Sequence, residues 1–272
     1  MKHVASLRYG VIFKKAFCHP EIFTSFIRDV LGVDLEIDSV ETEKSYHPAI
    51  GPVDSRFDLF AEDVKNRVIV DIQHQRLKDH YDKFLHYHCV AMLEQIARCE
   101  TYRSDVKVFT VVILTSGDRH KRDISVIDFD PRDRENISLD EIHHKVVYLC
   151  PKYADDSTPE PLREWLLAIE DTLDSEVDET RYRPEIRRIF DFIETSLITP
   201  KDTAEMKEEA ARYEKLKELE SRLAVIKEEG REEGREEGWK EIVRNMLVSG
   251  SFSVEQISEI TGLTPDQIKF LC

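Results

Sequence analysis

Two aspartates, each set in an otherwise apolar stretch, are the residues of this sequence best suited to bind a metal ion. Asp58 lies in RFDLFAE (56–62) and Asp71 in RVIVDIQHQ (67–75), on either side of a short polar turn. An acid in an apolar strand is costly to bury unless it is paired or binds a metal. Mg²⁺ takes oxygen ligands, often one or two carboxylates, and keeps several of its waters. The pattern therefore predicts that the two aspartates hold one divalent cation.

The two stretches have the composition of β-strands, and the turn between them predicts a hairpin. Side chains alternate along a strand, so Asp71, Gln73 and Gln75 should share one face of the second arm while His74 lies on the other. Gln73 can orient a water molecule or a phosphate oxygen, although it carries no charge. We expect Gln75 and His74 to be structural.

The rest of the first 153 residues predicts the layers that position this hairpin. Apolar spacing indicates a helix over 13–31, interrupted near His19-Pro20, and a second helix over 79–99. The nearly continuous apolar run 106–115 is typical of a strand buried on both faces in the centre of a sheet. Residues 33–54 are interpreted as mixed with loops, and 124–129 and 145–149 as short strands. This order predicts an α/β sandwich.

The remainder of the chain is predicted to be helical. We expect a core over 1–153, a helical extension over 154–200, a long charged helix over 201–248 and a small two-helix tail over 249–272. An EEGR-type repeat in the long helix places Gly230, Gly234 and Gly238 four residues apart, on one helical face. That face would let two helices approach closely in a homo-oligomer. The alternative is a solvated linker, since each glycine costs about 1 kcal/mol relative to alanine.

The composition of the chain limits its possible partners and its possible location in the cell. Its formal net charge of −16 argues against a nucleic-acid partner, but residues 1–154 hold 25 acids and 22 bases, so most of the excess lies outside the predicted core. No apolar stretch is long enough to span a membrane, and no secretion signal is recognisable. The five cysteines are far apart, as expected for reduced thiols. We therefore expect a cytoplasmic protein with no membrane partner.

The hairpin and its surroundings resemble the PD-(D/E)XK nuclease-like transposases, a group that includes recombination-promoting nucleases. The likeness is carried by FDLFAED (57–63) followed by IVDIQ (69–73), which is similar to the family pattern F-D-x-x-A-x-D, turn, I-x-V-(E/D)-x-Q. YGVIFKKAF (9–17), Tyr102 before the strand at 106–115, and HKVVYLCPKY (144–153) are similar to other family elements. The glycine repeat and the short terminal helices are also common tails in this group.

The resemblance implies a restriction-endonuclease-like core, a mixed sheet flanked by helices, and a Mg²⁺- or Mn²⁺-dependent DNA endonuclease. Asp58, Asp71 and the Ile72 carbonyl would then bind the metal, and Gln73 would stand at the position of the motif's lysine. The catalytic set would be Asp58, Asp71 and Gln73. The alternative is a catalytically weakened protein with the same fold that serves as a DNA-binding or oligomeric assembly module.

Two departures from the family pattern leave questions open. Asp71 stands where glutamate is more frequent, and a rival register would place Gln73, not Asp71, at the catalytic acid position. Gly10 stands where the opening helix often has an acid, and Glu21 is a candidate to replace that acid.

Several charged side chains are candidates for contact with the DNA backbone. They are Lys78, Lys83, Arg98 and Arg103, and we interpret His80, His86 and His88 as surface or phosphate-contacting residues.

Overall fold

A computed structural model describes residues 1–46, 55–74, 80–96 and 106–249, together with seven single residues beyond 249. The strands within these ranges are β1 (Lys2–His3), β2 (Glu41–Tyr46), β3 (Ser55–Glu62), β4 (Asn66–Gln73), β5 (Lys107–Leu114), β6 (Ile124–Asp128), β7 (Lys145–Leu149) and β8 (Glu176–Val177). The helices are α1 (Gly10–Phe17), α2 (Pro20–Leu31), α3 (His80–Ile96), α4 (Leu162–Asp171), α5 (Pro184–Phe192) and α6 (Pro200–Ser249).

The opening helical segment is divided in two, as its sequence predicts. α1 ends before Cys18, and α2 begins at Pro20, where the missing N–H of proline costs nothing. α2 ends at Gly32, whose φ of 68° lies in the left-handed region that glycine adopts at little cost. Each helix buries one apolar face, so the pair forms part of the core.

Six strands form one mixed sheet in the order β2-β3-β4-β5-β7-β6. β4, β5 and β7 are mutually parallel, while β2, β3 and β6 run antiparallel to their neighbours. β5 lies in the interior of this sheet and is buried over nearly its whole length, as its apolar sequence predicts. β1 and β8 form a separate two-stranded antiparallel sheet. The predicted mixed sheet flanked by helices is confirmed.

Helix α3 covers one face of the sheet with two apolar clusters. Val90 and Ala91 pack with side chains of β2, β3, β4 and β5, and Phe84 packs with side chains of β5 and β7. The helix therefore crosses the strands that carry both aspartates, and its side chains are near enough to complete a site there.

The strand β2 is absent from the sequence prediction, which treated residues 33–54 as mixed with loops. Its sequence, ETEKSY, has four charged or hydroxyl side chains in its first four positions and no apolar alternation. Among the described strands, β2 lies at the edge of the sheet and pairs with β3 alone. Charged side chains are common on such edges because they discourage pairing with another chain, so the pattern that marks a buried strand is missing.

The chain divides into two compact units, Met1–Glu209 and Ala210–Cys272. The first contains both sheets, helices α1 to α5 and the start of α6. In the second, Val243, Ile257 and Ile268 form a small apolar cluster. Among the described residues, no helix combines the length and the apolar character that crossing a membrane requires.

Candidate metal centre

The two strands that carry the aspartates separate at the aspartates themselves. β3 and β4 pair from Glu62↔Arg67 as far as Leu59↔Val70, and the pairing stops one position before Asp58 and Asp71. On its other side β3 pairs with β2 before and after Asp58 but not at Asp58. All eight residues of β3 are described, and Asp58 is the only one that is paired with neither neighbouring strand.

Strand β3 is also irregular at this point. Phe57 and Phe60, three residues apart, pack in the same apolar cluster beneath α3. Regular alternation would place side chains three apart on opposite faces. Local irregularities of a strand re-aim a side chain and occur beside active sites. Here the irregularity includes Asp58, so its side chain need not follow the regular alternation of the strand.

Each carboxylate accepts an N–H from the opposite strand, where a ladder hydrogen bond would otherwise be. The Asp58 N–H donates to Asp71 Oδ1 over 3.4 Å, and the Ile72 N–H donates to Asp58 Oδ2 over 3.0 Å. These two bonds hold both carboxyl groups side by side in the gap between the strands. The predicted convergence of the two aspartates is therefore a feature of the structure.

Burial makes both carboxyl groups reluctant to ionise. Asp71 is 4% exposed, and burial, followed by the charge of Asp58, raises the pKa of its carboxyl group well above the ordinary value. Burial also raises the pKa of Asp58, although the Ile72 N–H and the charges of Lys14 and Lys83 act in the opposite direction. Two acids in one buried gap repel each other when both are ionised.

The arrangement fits a divalent cation. Asp71 Oδ2 is buried and has no hydrogen-bond partner among the described residues, so a positive charge beside it would relieve both its desolvation and its repulsion from Asp58. In the described ranges, no group of three or more His, Cys, Asp or Glu side chains is placed to hold a metal ion. Two carboxylates are sufficient for Mg²⁺, which completes its octahedron with waters and substrate oxygens.

Gln73 is near the aspartates but makes a different contact. Lys83 Nζ, from α3, donates to Gln73 Oε1 over 3.2 Å, and the charge of Lys83 lowers the pKa of both aspartates against the effect of burial. Of the two registers that the sequence left open, only the one that uses Asp71 brings two carboxylates together. Gln73 instead holds a lysine beside them.

The charge of a second lysine also acts on the two aspartates. Lys14 lies on α1, and its Nζ donates to Glu43 Oε1 over 2.6 Å. Glu43 has a φ of 58° and is the β2 residue skipped in the pairing opposite Asp58. Burial opposes ionisation of the aspartates, whereas Lys14 and Lys83 favour it. The site is thus an acidic pair, with Asp71 buried and Asp58 partly buried, on which the charges of two lysines act.

A loop of four basic residues, Arg119–Arg122 (RHKR), follows β5 and is exposed throughout. We refer to it as the basic loop. The chain enters it from the end of β5, where the Thr115 N–H donates to the Gln73 carbonyl over 3.1 Å. The Tyr81 hydroxyl, on α3, donates to Asp118 Oδ2 over 2.6 Å and fixes the residue that precedes the loop. The sequence analysis did not single out this loop, although four consecutive basic residues in an acidic chain were a usable signal.

The histidines of α3 are not surface residues as a group. His80 and His88 are buried, His88 Nδ1 lies 2.9 Å from Thr110 Oγ1, and burial lowers the pKa of His88 to about 3. The interpretation of these two as surface or phosphate-contacting residues is therefore wrong, whereas His86 is exposed. His74 is partly buried, and its Nδ1 lies 2.9 Å from Thr115 Oγ1, which agrees with a structural role.

Other predicted residues are placed elsewhere or fall outside the described ranges. Glu21 pairs with Arg188 of α5, so its carboxylate is engaged by another residue. The Ile72 carbonyl as a metal ligand remains a prediction, since only its N–H is seen to contact Asp58. Four further candidates lie outside the described residues: Gln75, Lys78, Arg98 and Arg103.

Comparison with protein families identifies a match over most of the chain. A family model described as PD-(D/E)XK nuclease family transposase matches residues 9–223, a span that includes α1, both aspartates, α3 and the basic loop. No curated protein and no solved structure matches the chain.

Proposed function

The chain belongs to the PD-(D/E)XK nuclease family transposases, and from this membership we propose that it is a metal-dependent DNA endonuclease of a transposition or recombination system. The observation that carries the proposal is the gap between β3 and β4, where the carboxyl groups of Asp58 and the buried Asp71 meet and one oxygen of Asp71 has no partner among the described residues. A nuclease needs such a cation-binding pair, whereas a purely structural hairpin would be destabilised by it.

Asp58 and Asp71 would hold the ion, Mg²⁺ or Mn²⁺. When bound, the ion polarises a phosphoryl oxygen and lowers the pKa of water at the reacting phosphate. The protein would contribute a preformed holder, because the N–H groups of Asp58 and Ile72 keep the two carboxyl groups side by side.

We propose that Lys83 supplies the positive charge that Gln73 cannot. Gln73 occupies the lysine position of the family motif, but its amide oxygen holds Lys83 Nζ at 3.2 Å. Lys83 Nζ also lies over the rings of Phe84 and Tyr87, 4.6 and 5.4 Å from the ring centroids. A lysine held in this way can stabilise negative charge that develops on a phosphoryl group.

We also propose that the basic loop binds the DNA backbone beside the site. Arg119, Lys121 and Arg122 are exposed and carry positive charge, and phosphate contacts from such side chains fix the register of a protein on DNA. Tyr81 and Lys83 are two residues apart on α3, one anchoring the loop and the other contacting Gln73. One helix thus ties the phosphate contact to the cation-binding pair.

A plasmid assay tests the function directly. The full-length chain with Mg²⁺ or Mn²⁺ should nick or linearise supercoiled DNA, and EDTA should stop the reaction. Asp58→Ala and Asp71→Ala should each abolish cleavage, whereas Asp38→Ala, a change at an exposed aspartate outside the site, should cleave like the wild type. Cleavage that persists in the Asp71→Ala variant would refute the proposal.

The assembly-module alternative gives a different result in the same experiment. A chain that binds DNA but cleaves none with either metal would favour that alternative.

The proposed activity belongs in the cytoplasm, where DNA is available and where cysteines remain reduced. The described cysteines Cys18, Cys89 and Cys150 form no disulfide.

A further inference from the structure

The start of α6 is docked on α1. Lys15 Nζ, near the end of α1, lies 2.8 Å from Asp202 Oδ2 in the first turn of α6. Seven residues later along α6, both carboxylate oxygens of Glu209 face the other end of α1 and accept the Gly10 N–H over 3.0 and 3.3 Å. The two contacts hold the first turns of α6 antiparallel to α1.

This docking brings a third acid beside the aspartate pair. The position that a Cβ of Gly10 would occupy lies 3.8 Å from Glu209 Oε2 and 4.0 Å from Asp58 Oδ1. The carboxyl groups of Glu209 and Asp58 therefore border the same small space, and an acidic side chain at position 10 would enter it. Glu209 fills from α6 the place that glycine leaves empty on α1.

The surroundings point to a cation rather than to a simple helix cap. A carboxylate at the start of a helix is favourable by itself, but this one borders the same space as Asp58. Asp58 is hydrogen-bonded to the buried Asp71, whose Oδ2 has no partner among the described residues. Carboxylates that border one small space repel each other when ionised unless a positive charge lies between them. Glu209 is not part of a three-ligand group, so it would act on the hydration shell of the ion.

We infer that Glu209 is a positioning residue for the cation: its carboxylate accepts hydrogen bonds from the ion's hydration shell and replaces, from α6, an acid that α1 lacks at Gly10. This inference rests on the proposed function, because it requires an ion at Asp58 and Asp71. It also means that the start of α6 contributes a residue to the metal site.

Metal binding to the full-length chain, measured by isothermal titration calorimetry with Mn²⁺ and Mg²⁺, provides the test. Glu209→Gln keeps an oxygen that can accept the Gly10 N–H, so the docking of α6 should survive and the melting temperature without metal should stay near that of the wild type. Loss of an outer hydrogen-bond partner typically weakens metal affinity 10- to 100-fold. We expect a weakening of about 10-fold or more, with a matching loss of cleavage.

The matched control is Glu208→Gln, which removes the same charge from the adjacent, exposed position of the same helix and should leave metal affinity unchanged. Wild-type affinity in the Glu209→Gln variant would overturn the inference and leave Glu209 as a helix cap. If the wild-type chain itself neither binds metal nor cleaves DNA, the proposed function fails, and the inference fails with it.

A relocation experiment tests the equivalence of the two positions. In a Glu209→Ala background, Gly10→Glu should restore most of the lost metal affinity, because a Cβ at position 10 meets only ordinary contacts and an acid suits the first turn of a helix. Gly10→Gln in the same background is the uncharged control. Equal affinities for the two double variants would overturn the proposed replacement of one acid by the other.

Discussion

Asp58 and Asp71 both support the fold and destabilise it when no cation is present. Their oxygens satisfy two N–H groups at the gap in the ladder, yet burial and mutual repulsion oppose their ionisation. Sites that are built for charge often reduce the stability of the fold that contains them. The pair therefore makes the stability of the chain depend on metal and on pH.

The first prediction concerns Asp71→Asn. An amide of the same shape removes a buried acid and can donate a hydrogen bond to Asp58, so the ion-free variant should be more stable than the wild type by about 1 kcal/mol or more. This corresponds to a rise in melting temperature of roughly 2–4 °C per kcal/mol. Mg²⁺ should raise the melting temperature of the wild type and not that of the variant. Equal stabilisation of both by Mg²⁺ would contradict the assignment of the ion to this pair.

The second prediction concerns how the stability of the wild type and of Asp71→Asn depends on pH, which follows from the direction of the pKa shift of Asp71. The pKa of Asp71 is raised in the folded state, so between the unfolded and folded values the folded chain binds more protons. The free energy of unfolding of the ion-free wild type therefore falls as pH rises through that range. Asparagine does not titrate, so the advantage of Asp71→Asn should grow from acidic to neutral pH in denaturant melts. An advantage that does not vary with pH would refute this account.

A further prediction concerns Lys83→Met, which removes the charge that Gln73 holds beside the aspartates. Loss of one group that stabilises the transition state typically costs about 100-fold or more in rate, so cleavage should fall by about that factor. Mg²⁺ affinity should not fall, because a positive neighbour of the cation is removed. Lys44→Met, at an edge-strand lysine, is the control. A weaker Mg²⁺ affinity with an unchanged rate would show that Lys83 has a different role.

Some residues of the candidate site could be predicted from the sequence and others could not. Asp58 and Asp71 could be found because an acid within an apolar strand is anomalous. Glu209 could not, since it lies among many charged residues of α6 and nothing local separates it from Glu208. Its importance depends on how α6 docks on α1, which is a tertiary contact between residues 199 positions apart.

At the scale of elements, helix α3 does the most to join chemistry to fold. One side packs Phe84, Val90 and Ala91 against the sheet, while Tyr81 and Lys83 reach the end of the sheet where the aspartates lie. The sequence predicted α3, β3, β4 and β5 because their apolar periodicities are strong. It did not predict β2, whose charged sequence reflects its position at the sheet edge.

The basic loop gives a prediction at this scale. Changing Arg119, Lys121 and Arg122 together to alanine should weaken binding of duplex DNA, measured by fluorescence anisotropy in EDTA so that no cleavage occurs. Each lost phosphate contact lowers the slope of log affinity against log salt by about 0.9, so the slope should fall in magnitude by up to about 2 to 3. An unchanged slope would exclude the loop from the DNA interface.

The control for the loop removes the same charge elsewhere. Alanine at three other exposed bases should leave the salt slope near that of the wild type; these are Lys65, Arg134 and Lys201. A fall of the same size in both triple variants would indicate that net charge, and not the loop, determines the affinity.

For the whole molecule, the charge and the long helix raise the question of assembly. Much of the net charge of −16 lies outside residues 1–154, so this segment, which carries the aspartates, is nearly balanced in charge and compatible with a DNA partner. The repeat glycines lie in the second unit, and a Cβ on Gly230 would meet nothing within 4 Å. Association through a glycine face stays a prediction.

Gly230→Ala separates the two interpretations of the repeat. If the helix is a solvated linker, alanine should stabilise it by about 0.4–1 kcal/mol and leave the oligomeric state unchanged in analytical ultracentrifugation. If two chains meet at the glycines, the added methyl group should weaken their association. A lower dissociation constant in the variant would fit neither interpretation.

The interrupted ladder between β3 and β4 also provides a built-in reporter. The amides of Asp58 and Ile72 bond to side-chain oxygens instead of to carbonyl groups, so any ion that draws on those oxygens must alter the protection of the same two amides. Metal binding should therefore change the hydrogen–deuterium exchange rates of these two amides. The amides between Leu59 and Val70 should change less. The backbone itself records whether the site is filled.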